Sequence, residues 1–296
     1  VVWETKQMAA YAVKGFFLPL DELVANSPII KKEDFFETDW EQGIFKGHLY
    51  LVAFDNSPSM IWYNLDLFDE AGVPYPPTEF GKWKWLDWLD TAKKLTKGEG
   101  AEKVFGWVGE RWWVYMLPWV WSNGGMWLTE DKTKCVISSP EAKEALQWAA
   151  DLVRVHKVQP VGDQIIQGGN SAMFMGRRAA MAQTGTWWAI DLKAASKESG
   201  LRWNVAPMPD GKAGCFLRNP LDSYGVWQGS PHRAEAWSLI EFFNIPENAA
   251  IIIRAGLSSC RKDIMFGDVF LKQEPTSVNW KLFADALDGH TKPHPD

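Results

Sequence analysis

The segment Ser171–Trp188, SAMFMGRRAAMAQTGTWW, places the tightest constraint on how this chain folds. Its run Arg177–Met181 is small and straight. It leads to Thr184-Gly185-Thr186, a breaker that turns the chain and aims the next side chains into open space. Those side chains are Trp187 and Trp188. A flat aromatic on a glycine turn offers a rigid face to a flat ligand. Either ring also suits a core, where tryptophan is usually buried. The segment leads on to a strand at Trp203–Pro209 (WNVAPMP).

The chain around this turn alternates strands and helices. Val1–Trp3 reads as a strand, as do Gly47–Phe54, Met60–Tyr63 and Val104–Val108. Asn64 caps a helix over Leu65–Ala71 that Gly72 ends. Trp85–Leu95 is a helix with Leu86, Leu89, Ala92 and Leu95 spaced for burial. Ser139-Pro140-Glu141 opens a helix to about His156 that buries Ala142, Leu146, Ala149 and Val153; Ser230-Pro231 and Pro246-Glu247 open two more. Such alternation predicts an α/β fold with mostly parallel sheets. Polar breaks fall at 55–59, 110–113, 184–188 and 219–224, where strands end. Ligands of open α/β sheets gather outside the carboxyl ends of strands, so these four segments are expected to converge on one cleft.

Composition narrows the partners. A net charge of −6 leaves no basic footprint, which argues against nucleic acid. No apolar run reaches the ~18 residues of a membrane span. Nineteen tryptophans exceed what a core of Leu, Ile and Val needs and suit stacking on sugar or base rings; the acidic balance favours sugars. The three cysteines show no metal-ligand spacing, and Cys215 and Cys260 can pair in an oxidising compartment. His290 and His294 are four apart, but Pro293 breaks the helix that would align them. Neither a metal nor a cofactor is expected. The start at Val1-Val2-Trp3 and the end HTKPHPD read as those of a segment of a longer chain or a processed form.

Five runs, in order, resemble the family 1 extracellular solute-binding proteins, the sugar-binding components of ABC importers. They are Tyr63–Val73 (YNLDLFDEAGV), Ser139–Val158 (SPEAKEALQWAADLVRVHKV), Gly176–Trp187, Asn204–Gly214 (NVAPMPDGKAG) and Ala236–Asp263. The resemblance implies a two-lobed fold like the type II periplasmic binding proteins, hinged between lobes. The first lobe would hold 1–55 and 222–256, the second 58–218 and 257–296, with crossings near 55–58, 218–222 and 256–261. Against the family pattern the chain begins one or more βα units late and lacks the final helices. A bare sheet edge and poor stability in isolation are expected. The implied function is capture of a carbohydrate, an oligosaccharide on the strength of the tryptophans, and its delivery to a membrane ABC permease. A monomer without catalysis is expected, periplasmic or extracellular, with any lipid anchor in a segment outside this chain.

By matching position, Trp187 is the family's stacking aromatic and Trp188 is packing. At the second break, Arg111, Trp112 and Trp113 stand beside Glu110; the plainer reading of Arg111–Glu110 is a surface pair of little energetic weight. Asp55, Asn56 and Ser57 fall at the first crossing, where the plainer reading is a solvated turn. Trp3 and Lys6 are candidates on the first lobe, Asp222, Ser223 and Tyr224 at the second crossing, and Arg261 at the third. No catalytic residue is assigned. Two alternatives stay open. One is a carbohydrate-active enzyme drawing its acids from Asp55, Glu110 and Asp222, a pair of which must stand about 5–10 Å apart. The other keeps the fold but binds a phosphorylated polyol through Arg111, Arg218 and Arg261.

Overall fold

Local signals act where the sequence places them. The structure, a computed structural model, describes residues 2–4, 8–110 and 112–292, with the backbone alone at 2–4 and 255. The strands that build its two main sheets are β1 (Val2–Glu4), β2 (Val52–Asn56), β3 (Met60–Asn64), β4 (Met181–Thr184), β5 (Trp203–Ala206) and β6 (Leu221–Tyr224). The helices that matter below are α1 (Leu65–Ala71), α2 (Trp85–Leu95), α3 (Leu117–Ser122), α4 (Pro140–Arg154), α5 (Gly169–Met175), α6 (Trp188–Ser199) and α7 (Arg233–Asn244). Asn64 Oδ1 accepts from the Leu67 N–H at 3.1 Å to start α1, and Gly72 ends it at φ 65°, a conformation glycine adopts without strain. Ser139 Oγ accepts from the Ala142 N–H at 3.2 Å to start α4, with Pro140 supplying no orphan donor. Helix α7 starts at Arg233, two residues past the expected Pro231. On α2, Leu86 is 72% exposed despite its spacing.

The chain forms two compact units. Unit 1 gathers Val1–Pro58, Asn219–Gln273 and Phe283–Asp296; unit 2 gathers Ser59–Arg218 and Glu274–Leu282. Residues 257–273 and 283–296 thus belong with the first unit rather than the second, and the third crossing lies at 273/274 instead of 256–261. Backbone bonding explains the correction. The Phe36 N–H donates to Cys260 O at 3.2 Å, Asn56 Nδ2 donates to Ser259 O at 2.9 Å, and Arg261 bridges Phe35 in antiparallel fashion. Residues 274–282 leave for unit 2, where Asn204 Nδ2 donates to Ser277 O at 3.0 Å and Trp280 meets Trp203 edge-on at 5.7 Å.

The sheets also correct the parallel expectation. Unit 1 orders its strands β1-β6-β2 and unit 2 orders them β4-β3-β5, and every one of these pairings is antiparallel. In unit 2, strand β4 leads through α6 to β5, so these two run the same way. A strand–helix–strand alternation makes them codirectional but does not make them neighbours, because β3 lies between. Parallel contact survives in the bridges Phe105↔Ala179 and Val108↔Ala182, which extend the sheet beside β4.

The tryptophans mostly do another job than the one expected from their number. Trp62 is fully buried and stacks on Trp203 at 5.0 Å. Trp88 meets Trp107 at 5.0 Å and Trp119 at 5.3 Å, both edge-on, which is the arrangement ring quadrupoles favour. In unit 1, Phe35, Trp40, Val52, Leu221, Trp237 and Ile240 share a core. Cys215 and Cys260 are buried as free thiols, one in each unit, so the expected pairing is not made. Burial pushes both thiols up, Cys260 well above the ordinary range.

Candidate ligand site

Unit 1 brings Asp55, Asn56, Asp222, Ser223 and Tyr224 onto two adjacent strands, with Ser57 directly after the first and Asp55 opposite Asp222 just past a bulge between Ala53 and Asp55. Trp3 joins this sheet through its backbone, paired with Ser223. Lys6 lies outside the described residues, as does Arg111. Burial then separates these groups. Asn56 is wholly enclosed: its Nδ2 donates to Asp39 Oδ2 at 2.6 Å and to Ser259 O at 2.9 Å, while Ser258 Oγ donates to its carbonyl. Ser57 is buried too, its N–H donating to Asn219 Oδ1 at 3.0 Å. The segment 55–57 is therefore the buried end of a strand, not a solvated turn.

The centre of this network is Asp39, which sequence reasoning missed. Its carboxylate is fully buried and accepts from Asn56 Nδ2 and Asn219 Nδ2, each at 2.6 Å. Desolvation raises its pKa to about 7 against the pull of those donors. The available signal was an acid directly before Trp40 in the run FFETDW, where Glu37 is a second acid and only burial tells the two apart. Asp55, 8% exposed, is also raised, first by burial and then by the charge of Asp222; its Oδ1 has no hydrogen-bond partner among the described residues. Asp222 itself is exposed. Tyr224 is half-buried between Phe54 (4.2 Å) and Phe243 (5.2 Å), stacked on both. Arg261 is an internal brace of unit 1: its guanidinium pairs with Asp34 at 3.3 Å and Asp263 at 3.0 Å and lies over the Phe35 ring. Its charge is thus answered locally, which removes one of the three cations the phosphate alternative needs.

Unit 2 holds Trp187 and the 110–113 break at one end of its sheet. The parallel bridges run 105–108 alongside 179–182, so both segments leave in the same direction. Trp62 Nε1 donates to Thr184 O at 3.1 Å and Trp119 Nε1 to Gln183 Oε1 at 3.2 Å, fixing the end of β4. The Thr184-Gly185-Thr186 breaker is the entry of α6, with the Ala189 N–H donating to Thr186 O at 2.8 Å. Trp187 occupies the N-cap of that helix, half-buried, while Trp188 packs on Phe174 at 5.8 Å. Trp112 is 48% exposed; Trp113 opens a short 3₁₀ turn and packs on Trp127 at 5.2 Å. Glu110 Oε1 accepts from Asn170 Nδ2 at 2.9 Å.

Comparison with known proteins decides the family. The model of the bacterial extracellular solute-binding proteins matches residues 1–250. The chain belongs to that family. A protein of Brucella abortus (strain 2308) is 26% identical over 241 residues, 80% of this chain and 56% of its own length. The arabinooligosaccharide-binding protein of Halalkalibacterium halodurans is 24% identical over 241 residues, 78% of this chain and 51% of its own length. The chain thus spans about half the length of the curated relatives it matches. An ABC substrate-binding protein of Listeria monocytogenes, solved in complex with cycloalternan, superposes with a TM-score of 0.85 at 24% identity over 99% of this chain and 73% of its own. The fold of this solute-binding protein is the mixed α/β one of its two-lobed sugar-binding structural neighbours. Among the described residues no helix is long and apolar enough to cross a membrane, and no cluster of three or more His, Cys, Asp or Glu side chains is arranged to hold a metal.

Proposed function

We propose that this chain captures a carbohydrate, an oligosaccharide, outside the cytoplasm and hands it to an ABC permease without altering it. The observation that carries the reading is Trp187. It is a half-buried indole at the cap of α6, anchored by a buried strand, in a member of a solute-binding family. An apolar ring face packs against the C–H face of a pyranose or furanose. The arabinooligosaccharide and cycloalternan relatives support an oligosaccharide. Capture works by population shift, to the extent that ligand prefers one conformation.

The test is a tryptophan-fluorescence titration against mono- and oligosaccharides, followed by long incubation and product analysis. A saturable response with one sugar, recovered intact and lost in Trp187→Ala, is expected. Accumulating hydrolysis products would replace capture with catalysis, and a response confined to phosphorylated polyols would replace the ligand.

A further inference from the structure

Unit 2 carries a cavity of about 730 Å³ outside the residues assigned above. It lies between the start of α2, the middle of α4 and the loop at 210–212, and its volume is in the range of small-molecule sites. Two indoles form its aromatic wall: Trp85 and Trp148 stack at 5.1 Å with 25° between planes. Trp119 backs Trp85 edge-on at 5.5 Å, so the wall is braced by the core. Leu86, also lining the cavity, is 72% exposed, an unusual position for a large apolar side chain beside two indoles.

The polar groups narrow the ligand. Both lysines are already answered: Lys84 pairs with the buried Asp210 at 2.7 Å, and Lys212 with Glu144 at 2.5 Å. An anion would have to displace a carboxylate from either one. Asp87 and Asp151 add acceptors at the lining, and Gln147 bonds Asp151 at 2.8 Å. The Nε1–H groups of Trp85 and Trp148 are enclosed and have no acceptor among the described residues. A neutral polyhydroxylated ring fits the accessible lining: its hydroxyls donate to the carboxylates and its C–H face covers indole carbon, while the enclosed Nε1–H groups lie beyond its reach. An organic cation would also suit the carboxylates and the indole faces, and the choline arm of the test below decides between the two.

We propose that this cavity is a second saccharide site, wholly within unit 2, that takes one or two sugar rings. It stands on the cavity's own geometry and does not depend on Trp187.

The test uses the chain labelled with 5-fluorotryptophan, with the Trp85 and Trp148 resonances assigned through Trp85→Phe and Trp148→Phe. The probes are D-glucose, L-arabinose, maltose and cellobiose, with choline and citrate as the charged comparisons. A saccharide is expected to shift both resonances saturably, in the native chain and equally in Trp187→Ala. Filling the cavity from the exposed surface of α4 with Gln147→Trp should weaken that response at least roughly tenfold. The proposal is overturned if no saccharide moves the two resonances, if choline or citrate moves them instead, if Trp187→Ala abolishes the shift, or if Gln147→Trp leaves it unchanged.

Discussion

In unit 2 the central strand β3 is buried along its whole length, Met60 to Asn64. In unit 1 the central strand β6 alternates, with Leu221 and Ser223 inside and Asp222 in solvent. The strand directions in the two sheets are alike, each setting an antiparallel strand between two that run the same way, although the central strand comes last of its three along the chain in unit 1 and first in unit 2. A central strand covered on both faces has only packing to contribute. One with an open face can hold polar groups at the surface while the strand beside it buries others, and unit 1 does this with Asp222 and Asp55. A shared pattern of strand directions therefore does not imply shared roles, and the contrast can be tested by removing one key side chain at a time.

The largest effect should come from β3. Trp62→Ala removes a fully buried indole stacked on Trp203 and should cost about 3–5 kcal/mol in denaturant unfolding. A loss below about 1 kcal/mol would mean that this sheet centre tolerates a void and that the contrast with β6 is wrong. Next comes Asp39→Ala in unit 1, which strips the acceptor from the amides of Asn56 and Asn219 and should cost about 2–3 kcal/mol. Asp39 also has a pH signature. Its folded pKa, about 7, lies above the ordinary 3.8, so the folded state holds the proton more tightly than the unfolded one. That contribution is fully present below about pH 4 and lost as pH rises through about 7. Asp39→Asn should flatten this slope in thermal melts taken across the window.

The two adjacent indoles of unit 2 sharpen the comparison further. Trp187→Ala should weaken sugar binding by roughly tenfold or more and leave the melting temperature nearly unchanged. Trp188→Ala, which loses the Phe174 contact, should do the reverse. Calorimetric titration and melting of both variants separate the roles.

Much of the fold was legible because its signals are local. The Asn64 cap, the Gly72 stop and Pro140 at the head of α4 each need only neighbouring residues to act. Strand neighbours were not legible, since β3 enters between β4 and β5 from more than a hundred residues earlier in the chain. Burial divides the expected site residues. Trp187, in the Gly176–Trp187 run, is a partly accessible aromatic, and Asp222, at the expected second crossing, is an exposed acid. Asn56, Ser57 and Arg261 looked like ligand contacts because a polar residue at a chain crossing reads the same whether it faces solvent or a buried partner. That partner for Asn56, Asp39, lies 17 residues away on another element, and no periodicity announces it. The tryptophan count misled for a related reason: composition reports how many rings there are, not that Trp62, Trp88 and Trp203 pack against other tryptophans.

The smallest expected effect isolates the electrostatics of the unit 1 sheet. Asp222 stands opposite Asp55 across β2 and β6, and its charge is the second cause, after burial, of the raised Asp55 pKa. Asp222→Asn should lower that pKa without restoring it, because burial persists. Tyr224, raised by its own burial and then by Asp222 and Asp55, should move the same way. Carboxyl-carbon NMR of Asp55 and ultraviolet titration of Tyr224 measure the two shifts. The stability gain should be a few tenths of a kcal/mol, the scale of like charges facing each other across strands. It should appear only as pH rises far enough to ionise Asp55, because a neutral Asp55 is not repelled. A gain of the same size at low pH would mean that Asp222 acts through packing or solvation instead. An unmoved Asp55 midpoint would leave burial alone responsible, and the open face of β6 would then be electrostatically independent of the buried residue beside it.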